Sequence, residues 1–155
     1  MAVVSIDPII ERATTKDVAA LCALLTTLFD QEAEFTSDPV LHRRAVEIIL
    51  SQPETGQIWV AKRQGEIVGM INLLFTISTA LGAPVALLED VVVAPAHRNT
   101  GIGSRLVRTA IEAARQRGCR RITLLTDANN TGAQRLYARH GFERSAMTAM
   151  RLLLT

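Results

Sequence analysis

Apolar positions change rhythm from one segment of the chain to the next. In "IIERAT", residues 9–14, they open a short run that predicts a first strand. Val18, Leu21, Cys22, Leu25, Leu28 and Phe29 then recur at helical spacing, so they predict a helix with one apolar stripe, and Thr15 is placed to cap it. Asp38-Pro39 opens a second helix carrying Val40, Leu41, Ala45, Ile48 and Ile49. "QIWVAKR", the turn "QGE" and "IVGMINLLF" read as a hairpin. "APVALLEDVVVAP" is a long strand whose valines and leucines suit burial, and Pro95 ends it. A third helix runs from about Ser104 to Arg117 with Leu106, Val107, Ala110, Ile111 and Ala114 inward, and Gly118 stops it. "RITLLT" is a strand, "TGAQRLYARH" a short helix ended by Gly141, and "FERSAMTAMRLLL" one strand or a pair. This order predicts a mixed α/β sheet flanked by helices. No repeat or linker divides the 155 residues, so residues 1–155 are expected to form a single domain.

Composition adds little to this picture, while charge adds more. With 48% hydrophobic and 21% charged residues the chain is an ordinary globular one, and its apolar runs are too short for a membrane span. "MAVVSIDPII" lacks a basic leader, and Cys22 and Cys119 read as buried thiols, so a cytoplasmic location is expected. Residues 1–77 hold ten acids against six bases, whereas residues 78–155 hold five against eleven. The second half should therefore attract anions and the first half cations. A solvated helix face is the plainer reading of the same asymmetry.

The basic half contains "RNTGIGSRL", Arg98 to Leu106, where two glycines precede a helical pattern. The first amides of a helix lack intrahelical partners, and glycines let a ligand approach them without a Cβ in the way. Arg98 adds a charge able to grip phosphate oxygens, and pyrophosphate is the natural guest. A Walker loop is excluded, because Ser104-Arg105 stands where Lys-Ser/Thr belongs. A dinucleotide fingerprint meets Leu106 in place of its third glycine, although Asp127 is suitably placed for a ribose.

A third pattern, Arg/Gln-x-x-Gly-x-Gly/Ala, fits. In "LLEDVVVAPAHRNTGIGSRLV" and "NTGAQRLYARHGF" the chain resembles the GNAT superfamily of acyl-CoA N-acyltransferases, over roughly residues 87–142, and "IIERATTKDVAALCALL" looks like that family's opening. The resemblance implies a GNAT-like sheet, mostly antiparallel, flanked by about four helices and splayed between its fourth and fifth strands. It implies acetyl-CoA as cofactor, with the pyrophosphate at Arg98, Asn99, Thr100, Gly101, Ile102, Gly103 and Ser104. Main-chain groups of Val91 and Val93, with Val92 between them, would pair with the pantetheine arm, and Asn130 would bind it further along. The loop between the first two helices would border the acceptor.

Acetyl transfer to an amine needs a neutral nucleophile and a proton for the departing thiolate. Tyr137, seven residues after Asn130, stands where the family places its acid. A Tyr on the face of Ala133 and Leu136 is equally a core residue. Glu89 is the candidate base, acting through water; strand alternation puts it on the face of Val91 and Val93, with Asp90 opposite. Asp90 or a water chain remains open for that role, and so does a purely structural Glu89. Phe29, Glu32 and Phe35 continue the first helix's stripe and would line an acceptor pocket with Glu89, although a solvated helix end is the plainer reading of Glu32. His42, His97 and His140 lack metal-ligand spacing and read as surface or loop residues, so no metal is expected.

The expected reaction is direct transfer from acetyl-CoA to a small cationic amine, without nucleic acid or membrane and with a homodimer open, since terminal strands of such sheets can pair between subunits. Three rivals remain: a CoA-binding regulator without catalysis, a basic nucleic-acid module and a small nucleotide-binding domain. The 4% aromatic content leaves few stacking platforms for the nucleic-acid module.

Overall fold

The computed structural model describes residues 7–32 and 34–155. The opening segment 1–6, most of the stretch expected to lack a leader, lies outside them. Two compact units divide at Leu125 and Thr126, and each is described by itself.

In the first unit, β1 (Ile9–Arg12), α1 (Val18–Phe29), α2 (Pro39–Ser51), β2 (Gly56–Arg63), β3 (Glu66–Ser78), β4 (Ala83–Val93), α3 (Ile102–Gln116) and β5 (Ile122–Leu124) follow one another. The five strands form one sheet in chain order, antiparallel except for the β4–β5 pair. The sheet is thus mixed and mostly antiparallel, with α1 and α2 packed on one face and α3 on the other. On the α1–α2 face, Val18, Leu21, Leu24, Leu25 and Val46 meet Ile58, Val60, Met70 and Val92. Fully burying a side chain such as Leu21 contributes roughly 1.5–3 kcal/mol, so this cluster is a substantial part of the unit's stability. On the other face Gly69 lets α3 come close. A Cβ there would lie 3.1 Å from Leu106 and 3.2 Å from Ile102, which fixes where α3 begins over the sheet.

Local signals account for most element ends. Asp38 caps α2, its Oδ1 accepting the amides of Val40 and Leu41, with Pro39 in the first turn. The first cap sits one residue earlier than expected. Thr14, not Thr15, forms a capping box with Asp17 around a single 3-10 turn, and α1 starts at Val18. The inner face of α2 also differs from the apolar residues read from sequence. Val40, Leu41 and Ile48 are exposed, whereas His42 and Val46 are buried with Ile49 and Leu50 beside them. The surface reading of His42 is therefore wrong: the ring belongs to the packed face.

β4 decides the geometry of the site. Asn72 pairs with Glu89 and Met70 with Val92, so Ile71 faces both Asp90 and Val91. This is a bulge, with Asp90 in left-handed backbone at φ +55°. The extra residue resets the alternation. Glu89 shares the face of Asn72, Met70 and Val92, not that of Val93 as strict alternation implied. Beyond the bulge the sheet opens: β5 pairs only with Ala86–Leu88, while β4 continues to Val93.

The second unit, Thr126–Thr155, contains α4 (Thr131–Arg139). Asn130 caps it, Oδ1 accepting the Ala133 amide at 3.1 Å. The expected terminal strand or pair is absent: the residues after α4 form no strand, and Met147, Met150 and Leu152 to Leu154 are exposed. A strand needs a neighbour to receive its backbone bonds, and alternation of side chains does not supply one.

Candidate active site

The open edge of β4 leads into the glycine turn. Ala94 donates to the Val68 carbonyl at 2.8 Å, and antiparallel alternation then turns the main chain of Val93 away from β3. On that side Arg98 Nε donates to the Val93 carbonyl at 3.0 Å, which folds the loop back on the strand. Among the described residues this is the one side-chain hydrogen bond of the Arg98 guanidinium, and the residue is exposed. Thr100 Oγ1 donates to the His97 carbonyl at 2.6 Å, and Asn99 takes φ +60°.

Gly101 ends the loop in left-handed backbone, φ +84°, as the N-cap of α3. A residue with a Cβ costs roughly 1–2 kcal/mol in that conformation, while the space around it is open. With no side chain at the cap and the first intrahelical bond running from the Arg105 amide to the Gly101 carbonyl, the amides of Ile102 and Gly103 precede the ladder. Ile102 itself is buried and anchors the first turn. Bare amides, a helix dipole and an arginine next to a strand edge with no paired strand among the described residues fit an elongated anion with a hydrogen-bonding arm.

Not all of the basic half serves this site. Arg117 donates to the carbonyls of Pro53 and Glu54, pairs with the Glu54 carboxylate at 3.3 Å and lies over the Phe75 ring. Arg115 approaches Glu112 at 3.9 Å.

On the α1–α2 face the sequence-predicted residues come together in part. Phe29 and Phe35 meet edge to face at 5.6 Å, and Phe29 lies 5.0 Å from the His42 ring. Glu32 stands in the turn after α1, its amide donating to the Phe29 carbonyl at 3.2 Å. Glu89 is exposed on β4. Asp90 is less accessible, and Asn72 Nδ2 donates to its Oδ2 at 3.2 Å. Burial pushes the Asp90 carboxyl up, while the Asn72 hydrogen bond and the charge of His42 oppose the rise. His42 Nε2 accepts the Asp38 amide at 3.2 Å, and Ser37 Oγ lies 3.1 Å from the same nitrogen.

Asn72 and His42 escaped the reading of the sequence. The signal for Asn72 was present, as the one polar residue inside the run "MINLLF" of a buried strand. Asn72 is 3% exposed, and its Oδ1 has no partner among the described residues. Such a buried carbonyl costs about 1–3 kcal/mol, and the left-handed Asp90 about as much again.

In the second unit Asn130 and Tyr137 lie at the two ends of α4. Tyr137 meets Phe142 edge to face at 5.9 Å, and Gln134 Nε2 holds the entry to the helix through the carbonyls of Asp127 and Ala128. The amide oxygen of Asn130 serves the helix cap.

Comparison with known proteins decides the family. Residues 20–142 match the acetyltransferase (GNAT) family profile. The chain belongs to the GNAT acetyltransferase family. It is therefore an acyl-CoA-dependent N-acyltransferase by descent, of a family that uses acetyl-CoA. YhfO of Bacillus subtilis (strain 168), described as an uncharacterized N-acetyltransferase, is 32% identical over 86% of this acetyltransferase and 89% of its own length. The aminoalkylphosphonate N-acetyltransferase of Salmonella typhimurium (strain LT2) is 30% identical, over 88% and 85%. Among solved structures, one described as a transcriptional regulator from Bacillus halodurans C-125 superposes with a TM-score of 0.79 at 31% identity, over 95% of this acetyltransferase and 99% of that chain. Among the described residues, no helix is long and apolar enough to cross a membrane.

Proposed function

We propose that this GNAT acetyltransferase acetylates a small cationic amine, with donor and acceptor bound together and no covalent enzyme intermediate. Acetyl-CoA supplies the activated thioester. The observation that carries the reading is the left-handed, side-chain-free entry to α3 at Gly101, directly after a strand that has lost its neighbour. The amides of Ile102, Gly103 and Ser104 would hold the pyrophosphate with Arg98, Asn99 and Thr100. The main chain of Val91 to Val93 would hold the pantetheine arm, and Asn130 would bind it further along. Phe29, Glu32 and Phe35 would line the acceptor side. Glu89 would take the amine proton through water, and Tyr137 Oη would hold the proton for the departing sulfur.

A cationic acceptor is supported by the acidic first half of the chain and by the relative that acts on aminoalkylphosphonates. The family profile runs across both compact units, which supports one acetyltransferase domain over residues 1–155. A homodimer belongs to the same proposal and is supported by the exposed apolar residues 147–154. So does a cytoplasmic location, which the two free, partly buried cysteines suit. An acetyl-CoA-dependent thiol-release screen over alkylammonium, polyamine, aminoalkylphosphonate and aminoglycoside acceptors tests the activity. Release with at least one of them is expected; CoA binding without turnover on any would favour a regulator instead.

A further inference from the structure

Two departures from ordinary protein structure meet at one carboxylate. The bulge holds Asp90 at φ +55°, and Asn72, itself 3% exposed, turns its Nδ2 to Asp90 Oδ2 at 3.2 Å. In doing so Asn72 leaves its Oδ1 buried with no partner among the described residues. The amide serves the carboxylate rather than its own two ends. Folds keep such departures where a function over-determines them. On the same face Phe29 packs against the core cluster that holds Met70 and Val92; its ring lies 5.0 Å from that of buried His42 and meets Phe35 at 5.6 Å. Glu89, the preceding residue on β4, stands opposite Asn72 in the sheet register and adds a second carboxylate. Carboxylates, an acceptor oxygen and aromatic rings together complement an ammonium group.

Resting on the acetyltransferase reading above, we propose that Asp90 binds the ammonium of the acceptor, with Asn72 as its positioning residue. The acceptors are then primary alkylammonium compounds rather than aryl amines, which are uncharged at neutral pH. Asp90 recognises the cation, and Glu89 keeps the proton-accepting role.

The test uses the full chain loaded with CoA, titrated calorimetrically with spermidine and with 2-aminoethylphosphonate, and steady-state acetylation of the better of the two beside 4-aminobenzoate. Asp90→Asn preserves shape and tolerates left-handed backbone, so it separates charge from geometry. It should weaken alkylammonium binding by about tenfold or more. KM should rise in proportion, with kcat, CoA affinity and any 4-aminobenzoate turnover unchanged and the melting temperature not lowered. Asn72→Ala should raise KM for the alkylammonium acceptor alone. Asp90→Gly, which takes the same φ, serves if Asp90→Asn does not fold. Unchanged affinity in the folded variant, or no alkylammonium affinity in the wild type, overturns the inference. If CoA binding is present in that last case the acetyltransferase reading survives, and if it is absent both fall.

Discussion

Burial raises the Asp90 carboxyl above the ordinary aspartate value, and the Asn72 hydrogen bond and the charge of His42 only partly restore it. In the unfolded chain the same group is an ordinary carboxyl, so the folded state holds the proton more tightly. The penalty for burying the charge is complete above the folded value, fades as pH falls through it, and is gone below the unfolded one. Asp90→Asn should therefore raise the melting temperature most at neutral pH, by an increment that shrinks toward acid. Thermal scans across pH check this, and an increment growing toward acid contradicts it. Tyr137 answers to a different measurement. Tyr137→Phe keeps the ring against Phe142 and removes only the hydroxyl. Turnover should fall by about 10²–10⁴-fold if chemistry limits it, with CoA affinity unchanged in a parallel titration. Equal turnover in the two proteins would assign Tyr137 to packing. Residues of this kind were legible in part. Glu89 and Asp90 stood out as charges in an apolar strand, and Tyr137 through the family resemblance. Nothing in the order of residues marks a bulge, and strict alternation consequently put Glu89 on the face of Val93. His42 looked like a surface residue because its burial depends on which side of α2 the sheet covers.

Elements were easier to read than their faces. α1 and α3 carry stripes with one solution; of the sequence-derived inner residues of α3, Leu106, Val107, Ala110 and Ala114 are buried and Ile111 is half-buried. α2 has apolar residues on two sides, so periodicity did not choose between Val40, Leu41 and Ile48 and the true inner pair His42 and Val46. The capping box at Thr14 needed Asp17 to be recognised as its partner. For glycines the elements make opposite predictions at two positions. Gly101→Ala meets no neighbour, yet its φ of +84° should cost roughly 1–2 kcal/mol of stability and lower CoA affinity. Gly132→Ala lies inside α4, where its Cβ would meet only Asn130 Oδ1 at 3.9 Å, and should stabilise by up to roughly 1 kcal/mol. Denaturant melts of the two variants, with a CoA titration beside them, separate backbone strain from helix propensity. Equal effects of both would remove the argument for Gly101.

For the whole molecule the family profile covers residues 20–142, and the five-stranded sheet belongs to the first compact unit. Met147, Met150, Leu152, Leu153 and Leu154 are 80–95% exposed, more apolar surface than a short segment ordinarily shows to water. β5 is a three-residue edge strand. An open edge and an exposed apolar segment in one chain complement each other between two copies. Light scattering after size exclusion should therefore report a dimer for the full chain and a monomer for Met150→Asp; a monomeric full chain contradicts the pairing. The chain order alone made 142–154 read as one strand or a pair, because the identity of a partner strand is not visible in it.

The central claim is that the turn from Arg98 into α3 grips a diphosphate. Titration calorimetry of CoA against the purified chain tests it most directly. Saturable one-to-one binding tighter than about 1 mM is expected, weakened in Gly101→Ala. A flat titration at CoA concentrations up to about 1 mM, with a folded protein in the cell, would contradict it.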